Sequence, residues 1–248
     1  MAELAQLGWT ADQVNGVLLV YLRLQALILT LPGFGARFLP VRIKVALAMA
    51  LTPLFQGQAV AADNPAELAV LAATAVVTGT VMGLMVRVMA MALDTATAAI
   101  AQSASLSQII GVADESSPHP IGNLFHLAGT ALLMALGLPM ILCRLASDSF
   151  RALPPGAWPD IGQVWPQMLG LVVHSFLLAM GLAAPFILGG LLFQGLSGIV
   201  ARVMPALPVV FVVAPLMILI ALAALIVVSP AILSLWSDSV LSGAEVLP

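Results

Sequence analysis

The sequence carries very little charge. Only 8% of its 248 residues are charged, with eight basic and eleven acidic side chains. Soluble domains carry roughly 25% charged residues, so this composition excludes an ordinary water-soluble fold. The net charge of -3 is small and the basic residues are scattered, which leaves no extended surface for nucleic acid.

Cysteine and histidine are also scarce. Cys143 is the only cysteine, so the chain cannot form an internal disulfide. The three histidines have no accompanying cluster of Cys, Asp or Glu at metal-ligand spacing, and no phosphate-binding Gly-x-x-x-x-Gly-Lys-Ser/Thr loop is present. Ser197 lies in a Gly-x-Ser-Gly pattern typical of intramembrane serine proteases, but every histidine precedes it, the reverse of the order such proteases have. We therefore expect no catalytic residues, no metal and no cofactor.

Apolar residues take the place of charge. They make up 62% of the chain, and its mean hydropathy is +1.13. Six apolar runs predict helices, and we expect several of them to be broken by proline or glycine, with interruptions at Pro185, Pro215 and Pro230. The runs cover residues 17–31, 45–55, 68–93, 124–145, 168–192 and 205–236. We predict an all-α, polytopic integral membrane protein in contact with lipid, with residues 1–248 as a single membrane domain.

Three basic residues, Arg37, Arg42 and Lys44, lie in the loop between the first two runs. The next loop, residues 56–67, is instead acidic. Basic loops are enriched on the cytoplasmic side of membranes, so we expect these three residues to face the cytoplasm or to pair with acidic groups of a partner, with the N-terminus on the other side of the membrane.

Small residues in the apolar runs indicate close helix packing. The motif Gly79-x-x-x-Gly83 lets another helix approach the backbone of the third run closely. Arg202 and Pro205 follow a Gly-rich segment, at the start of the last run. We assign these four residues to helix packing and assembly. Asp94 is an ionisable residue within an apolar run, and we expect it to pair with Arg87, seven positions earlier.

The stretch from Asp94 to Asn123 differs from its surroundings because it is small, polar and punctuated by Gly and Pro. Irregular backbone of this kind finds no hydrogen-bond partners in lipid, so it should line a cavity, lie inside protein or lie outside the bilayer. Its serines are small, Ile109 and Ile110 supply an apolar tip, and Gly111 permits a bend. An ordinary surface loop between two helices also has these properties.

Four segments of the sequence resemble one family in the same order along the chain. They are Arg23 followed by Thr30-Leu-Pro-Gly33; Leu39-Pro-Val-Arg-Ile-Lys-Val-Ala; Leu106-Ser107 ahead of Asp114; and Ala184-Pro185 leading through Arg202-Val-Met-Pro205 to Phe211. The chain is similar to the FliR family of flagellar export-gate subunits, whose counterpart in virulence injectisomes is SctT. It departs from that family in the Ala/Ser-rich run Gln102-Ser-Ala-Ser, where the family often has a Gly-rich run.

The resemblance implies a non-enzymatic channel subunit of a helical type III export gate in the bacterial inner membrane, at the flagellar basal body. Its partners would be FliP-like and FliQ-like subunits, with FlhA-like and FlhB-like proteins beside them, and unfolded polypeptides would pass through. The family's channel plug would correspond to Ala104, Ser105, Leu106, Ser107, Gln108, Ile109, Ile110, Gly111, Asp114 and Pro120.

A different class of protein also fits the composition. A small secondary transporter would have broken helices around a site near the middle of the bilayer. The sequence shows no inverted repeat, which disfavours this alternative. A transporter should be complete alone or as a homo-oligomer, whereas an export-gate subunit should co-purify with other small membrane proteins. The sequence leaves the choice between flagellum and injectisome open.

Overall fold

The computed structural model describes residues 11–35, 39–62, 64–103, 120–203 and 209–246. These residues form seven α-helices and one 3₁₀ helix, with no β-strand among them. The helices are α1 (Ala11–Thr30), α2 (Val41–Leu51), α3 (Pro65–Ser103), α4 (Pro120–Ala135), α5 (Leu138–Ala152), α6 (Ile161–Val203) and α7 (Val209–Val246), and the 3₁₀ helix (Thr52–Gln58) directly follows α2. The predicted all-α fold is confirmed.

Four of these helices, α1, α3, α6 and α7, contain a segment long and apolar enough to cross a membrane. The pair α4 and α5 together would supply a fifth. The predicted run 45–55 is too short to count among them, because its apolar residues are shared between α2 and the 3₁₀ helix. The chain is a polytopic membrane protein, and six runs were an approximate count of its spans.

The three longest helices exceed the thickness of a bilayer. They contain 39 residues in α3, 43 in α6 and 38 in α7. At about 1.5 Å per residue each is roughly 57–65 Å long, about twice the 30 Å hydrocarbon core. Part of each helix therefore lies outside the hydrocarbon, even if the helix is strongly tilted.

The helix breaks do not lie at the prolines. Helix α6 continues through Pro185, and α7 continues through Pro215 and Pro230. The break falls at Gly137, where the sequence predicted one helix over residues 124–145. Gly137 adopts a left-handed φ of 103°, which a residue with a side chain rarely does, and Pro139 stands in the first turn of α5, where its missing N–H costs little.

The described residues group into two compact units. The first comprises residues 1–89, 133–171 and 240–248. In this unit α1 packs against α2, the 3₁₀ helix and α5. Its fully buried side chains are mainly apolar and come chiefly from α1 and α5: Leu24, Leu27, Ile28, Leu31, Met85, Leu133, Leu138 and Leu142.

The second unit comprises residues 90–132 and 172–239. It contains the last turns of α3, most of α4 and long segments of α6 and α7. Leu93, Ile100 and Ile232 are among its buried side chains, and Trp236 is only 3% exposed. That the whole chain acts as one membrane domain stays a prediction.

Candidate gate and assembly site

Most of the predicted channel plug lies outside the described residues. This applies to Ala104, Ser105, Leu106, Ser107, Gln108, Ile109, Ile110, Gly111 and Asp114, while Pro120 is the first residue of α4. The structure does describe both flanks of the predicted plug segment, which are the C-terminal turns of α3 and the N-terminal turns of α4.

A hydrogen bond joins these two flanks. Nδ1 of His126 on α4 lies 3.1 Å from Oδ1 of Asp94 on α3, and both side chains are about half exposed, at 48% and 50%. The expectation that Asp94 pairs with Arg87 was wrong. Arg87 is exposed on α3, and the carboxylate is instead met by a residue 32 positions later in the sequence. The pair therefore ties together the helices that enter and leave the plug segment.

Trp236 on α7 contacts the same two helices, α3 and α4, close to the contact between Asp94 and His126. The indole Nε1 of Trp236 on α7 donates a hydrogen bond to the backbone oxygen of Ala90 on α3, at 3.1 Å. Its ring lies so close to Gly129 on α4 that a Cβ there would approach the ring carbons to 2.9 and 3.0 Å. Ala90 is one turn before Asp94, and Gly129 is about one turn after His126. Within the second unit, Trp236 thus contacts both α3 and α4 beside the hydrogen bond between Asp94 and His126.

The two glycines of the predicted packing motif both face α1 of the same chain. A Cβ on Gly79 would collide with the backbone oxygen of Arg23 and lie 3.1 Å from the Cβ of Ala26. A Cβ on Gly83 would collide with the hydroxyl of Thr30 and lie 3.0 Å from the backbone oxygen of Leu27. These glycines therefore allow α1 and α3 to pack with their backbones close together. A role in contact with another subunit stays a prediction.

Arg23 occupies the contact between α1 and α5 and is 1% exposed. Its Nη1 donates hydrogen bonds to the backbone oxygens of Ser149 and Leu153, at 3.1 and 2.8 Å. Its guanidinium lies over the ring of Phe150, which in turn stacks on Phe55 with centroids 5.9 Å apart. Among the described residues its Nε has no hydrogen-bond partner. Sequence reasoning found Arg23 as a charge in an apolar run but gave no sign of these partners.

The residues of the charged loop differ in their surroundings. Lys44 is only 7% exposed, and its Nζ donates to the backbone oxygen of Gly35 at 3.1 Å. Arg42 is exposed on α2. Arg37 lies outside the described residues. Lys44 therefore fastens the turn after α1 to α2 within the chain, and among the described basic residues of this loop only Arg42 faces outwards.

The last two predicted assembly residues lie near the end of α6. Arg202 is an exposed residue in the final turn of that helix, where a positive charge complements the helix dipole. Pro205 lies outside the described residues. Within the described ranges no three His, Cys, Asp or Glu side chains are grouped so that they could hold a metal ion.

The sequence matches the model of a known protein family over residues 14–242, and the family is described as bacterial export proteins, family 1. The chain belongs to this family. The matched region includes all seven helices almost completely, so membership concerns the whole fold and not one segment.

Two relatives have the same descriptive name, flagellar biosynthetic protein FliR. The protein from Caulobacter vibrioides is 29% identical over 238 residues, covering 92% of this chain and 94% of the relative. The protein from Aquifex aeolicus is 28% identical over 222 residues, covering 87% of this chain and 86% of the relative. The chain thus aligns with nearly the full length of both relatives.

Proposed function

We propose that this protein is a channel subunit of the flagellar type III export gate, which passes unfolded protein subunits across the bacterial inner membrane. The observation that carries the proposal is the match to a bacterial export family over residues 14–242. Two relatives named for flagellar biosynthesis, aligned over nearly their full length, support the flagellar system over an injectisome. The helical, polytopic architecture agrees with a membrane component.

The subunit works as part of an assembly with FliP-like and FliQ-like proteins, beside FlhA-like and FlhB-like proteins. Large apolar side chains on α6 and α7 remain exposed in the isolated chain, and something apolar must cover them. They include Leu188, Leu192, Leu196, Ile226 and Val227. Purification through a tag on this chain should yield several small membrane proteins in fixed ratios. Recovery of this chain alone, or only as a homo-oligomer, would favour a transporter.

Within the gate, the segment from Ala104 to Pro120 acts as the plug. A pore wide enough for unfolded polypeptide leaks ions unless something fills it at rest, and the filler must have small side chains and few strong anchors in order to leave. The described flanks agree with this role, because Asp94 and His126 join the helix that enters the segment to the helix that leaves it.

Deletion of residues 107–112 tests the plug. We expect the variant to assemble with its partners and to make the inner membrane permeable to small ions, measured as loss of membrane potential in intact cells. The double variant Ser116→Ala/Ser117→Ala is the control, because it keeps the segment's length and apolar tip and should stay ion-tight. An assembled deletion complex with normal ion tightness would make the segment structural.

The charged loop lies on the cytoplasmic side. Val41 is 65% exposed at the start of α2, so a cysteine there can report the location of the loop. In a Cys143→Ser background, Val41→Cys should be protected from an impermeant thiol reagent added outside intact cells and should react after the cells are opened. Rapid labelling in intact cells would reverse the orientation.

A further inference from the structure

Helices α3 and α4 meet at regular intervals where they flank the predicted plug segment. A Cβ added to Gly122 would lie 3.8 Å from Oγ1 of Thr97. About one turn further from the segment, Nδ1 of His126 lies 3.1 Å from Oδ1 of Asp94. From the first contact to the second, the position moves back three residues along α3 and forward four along α4. The two helices are therefore antiparallel and paired turn by turn at this level.

A third contact lies one turn further along, and α7 takes part in it. A Cβ on Gly129 of α4 would lie 2.7 Å from Cδ2 of Leu93 on α3. The same Cβ would lie 2.9 and 3.0 Å from Cζ3 and Cη2 of Trp236 on α7. The indole Nε1 of Trp236 donates to the backbone oxygen of Ala90 on α3 at 3.1 Å. Three helices thus meet at a point where only a glycine leaves room for the indole.

Trp236 has little freedom in this contact. Its side chain is 3% exposed, and a buried indole N–H usually has a hydrogen-bond partner. The oxygen of Ala90 can serve because a carbonyl has two lone pairs, of which the helical N–H four residues later takes one. Cζ3 and Cη2 belong to the outer ring of the indole, so the N–H points to α3 while the outer ring lies against α4. One rigid side chain therefore touches both helices.

We propose that Trp236 is a positioning residue of the gate, which sets the spacing of α3 and α4 where they flank the predicted plug and so keeps the gate closed at rest. The last contact of the two helices, at Gly122, lies seven residues from Gly129, or about 10.5 Å along α4. A helix is stiff over two turns, so a shift of α4 at the indole also shifts its end beside the plug. The inference rests on the proposed function, because the spacing controls ion flow only if the segment is a plug.

A disulfide can report this spacing independently of transport. Thr97→Cys and Gly122→Cys are introduced together in a Cys143→Ser background, and the assembled complex is treated with a mild oxidant. The Cβ position at Gly122, 3.8 Å from the Thr97 atom that sulfur would replace, is compatible with a disulfide. Peptide mass spectrometry then measures how fast the two positions become linked. Ion tightness is measured separately, as the membrane potential of intact cells without the reporter cysteines.

Gly129→Ala is the variant that tests Trp236. Alanine favours a helix more than glycine does, so α4 should still form, but the added methyl group meets the outer ring of the indole. We expect slower disulfide formation and a loss of membrane potential. Adding Trp236→Phe removes the outer ring, so both readouts should return to the values of Trp236→Phe alone. Gly181→Ala is the matched control and should change neither, because a Cβ there meets nothing within 4 Å of the same chain.

Rescue by the smaller ring separates positioning by Trp236 from a general packing defect. A Gly129→Ala complex with the wild-type disulfide rate would overturn the inference. A defect that Trp236→Phe does not relieve would also overturn it, since Leu93 would then be the obstructing residue. Deletion of residues 107–112 distinguishes the inference from the proposed function. If the deletion leaks ions and Gly129→Ala does not, Trp236 does not control the gate, whereas tightness of both variants would remove the plug itself.

Discussion

The guanidinium carbon of Arg23 lies 4.4 Å from the centroid of the Phe150 ring. The same guanidinium donates to the backbone oxygens of Ser149 and Leu153 at the C-terminal end of α5. The last carbonyls of a helix have no partners within the helix and carry the negative end of its dipole. A residue on α1 therefore caps α5, and its positive charge is stabilised by carbonyl groups and an aromatic face.

Arg23→Met should destabilise the protein. Each hydrogen bond from a charged donor contributes about 1.5–3 kcal/mol, and the substitution leaves the partly buried oxygen of Leu153 without the Arg23 donor. We expect a loss of roughly 2 kcal/mol or more, measured from the unfolding midpoint of the purified complex. Arg87→Met is the matched control, because Arg87 is exposed, and it should change stability little. Equal midpoints for the two variants would show that the Arg23 contacts are not stabilising.

Gly79→Leu and Gly83→Leu should separate α1 from α3. The obstructing atoms include the backbone oxygens of Arg23 and Leu27, which cannot rotate away as a side chain could. Overpacking of this kind costs typically 1–3 kcal/mol and sometimes more, so we expect less folded protein and loss of co-purifying partners.

The control for these variants is Gly181→Leu on α6, where a Cβ meets nothing within 4 Å of the same chain. The Gly181→Leu variant should be at least as stable as the wild type, because glycine within a helix lowers the free energy of unfolding by about 0.5–1 kcal/mol relative to alanine. Full recovery of partners with the Gly79 and Gly83 variants would show that the close approach of α1 and α3 is not required.

The sequence predicted the helical membrane architecture because apolar composition and run length are local properties. It also identified the Gly79 and Gly83 pair as a close-packing motif. It could not show that the approaching helix was α1 of the same chain, since spacing defines a face but not its neighbour. The break at Gly137 was missed for a related reason, because prolines within an apolar run gave a stronger local signal than this single glycine.

The sequence could not predict which polar groups far along the chain would pair with each other. Asp94 had Arg87 on nearly the same helix face, and a nearby opposite charge was the natural expectation. Its actual partner, His126, lies on a helix that returns after a long intervening segment. Arg23 is likewise satisfied by backbone oxygens, which every residue has and which no pattern of side chains can reveal.

Lys44 and Arg42 should differ in their effects although both belong to the basic loop. Lys44 donates to the oxygen of Gly35 and is largely buried, so Lys44→Met should loosen the turn between α1 and α2 and lower stability by about 1 kcal/mol or more. Arg42→Met removes an exposed charge and should be close to neutral for folding. Limited proteolysis of the purified protein at this turn measures the difference. If both variants are cut at the wild-type rate, the Lys44 contact does not hold the turn.

Asp94 and His126 should be energetically coupled across the plug segment. A double-mutant cycle with Asp94→Ala, His126→Ala and the double variant isolates their interaction from their other contacts. Both side chains are about half exposed, so we expect a coupling of only about 0.2–1 kcal/mol in the unfolding free energy. Arg151 and Asp148 form a matched control pair, 3.6 Å apart and three positions apart on α5. If the hydrogen bond between Asp94 and His126 holds the two flanks of the predicted plug together, either single variant should also increase ion leakage through the assembled complex, whereas Arg151→Ala should not. Coupling indistinguishable from zero, together with unchanged ion tightness, would show that the pair does not hold the two flanks together.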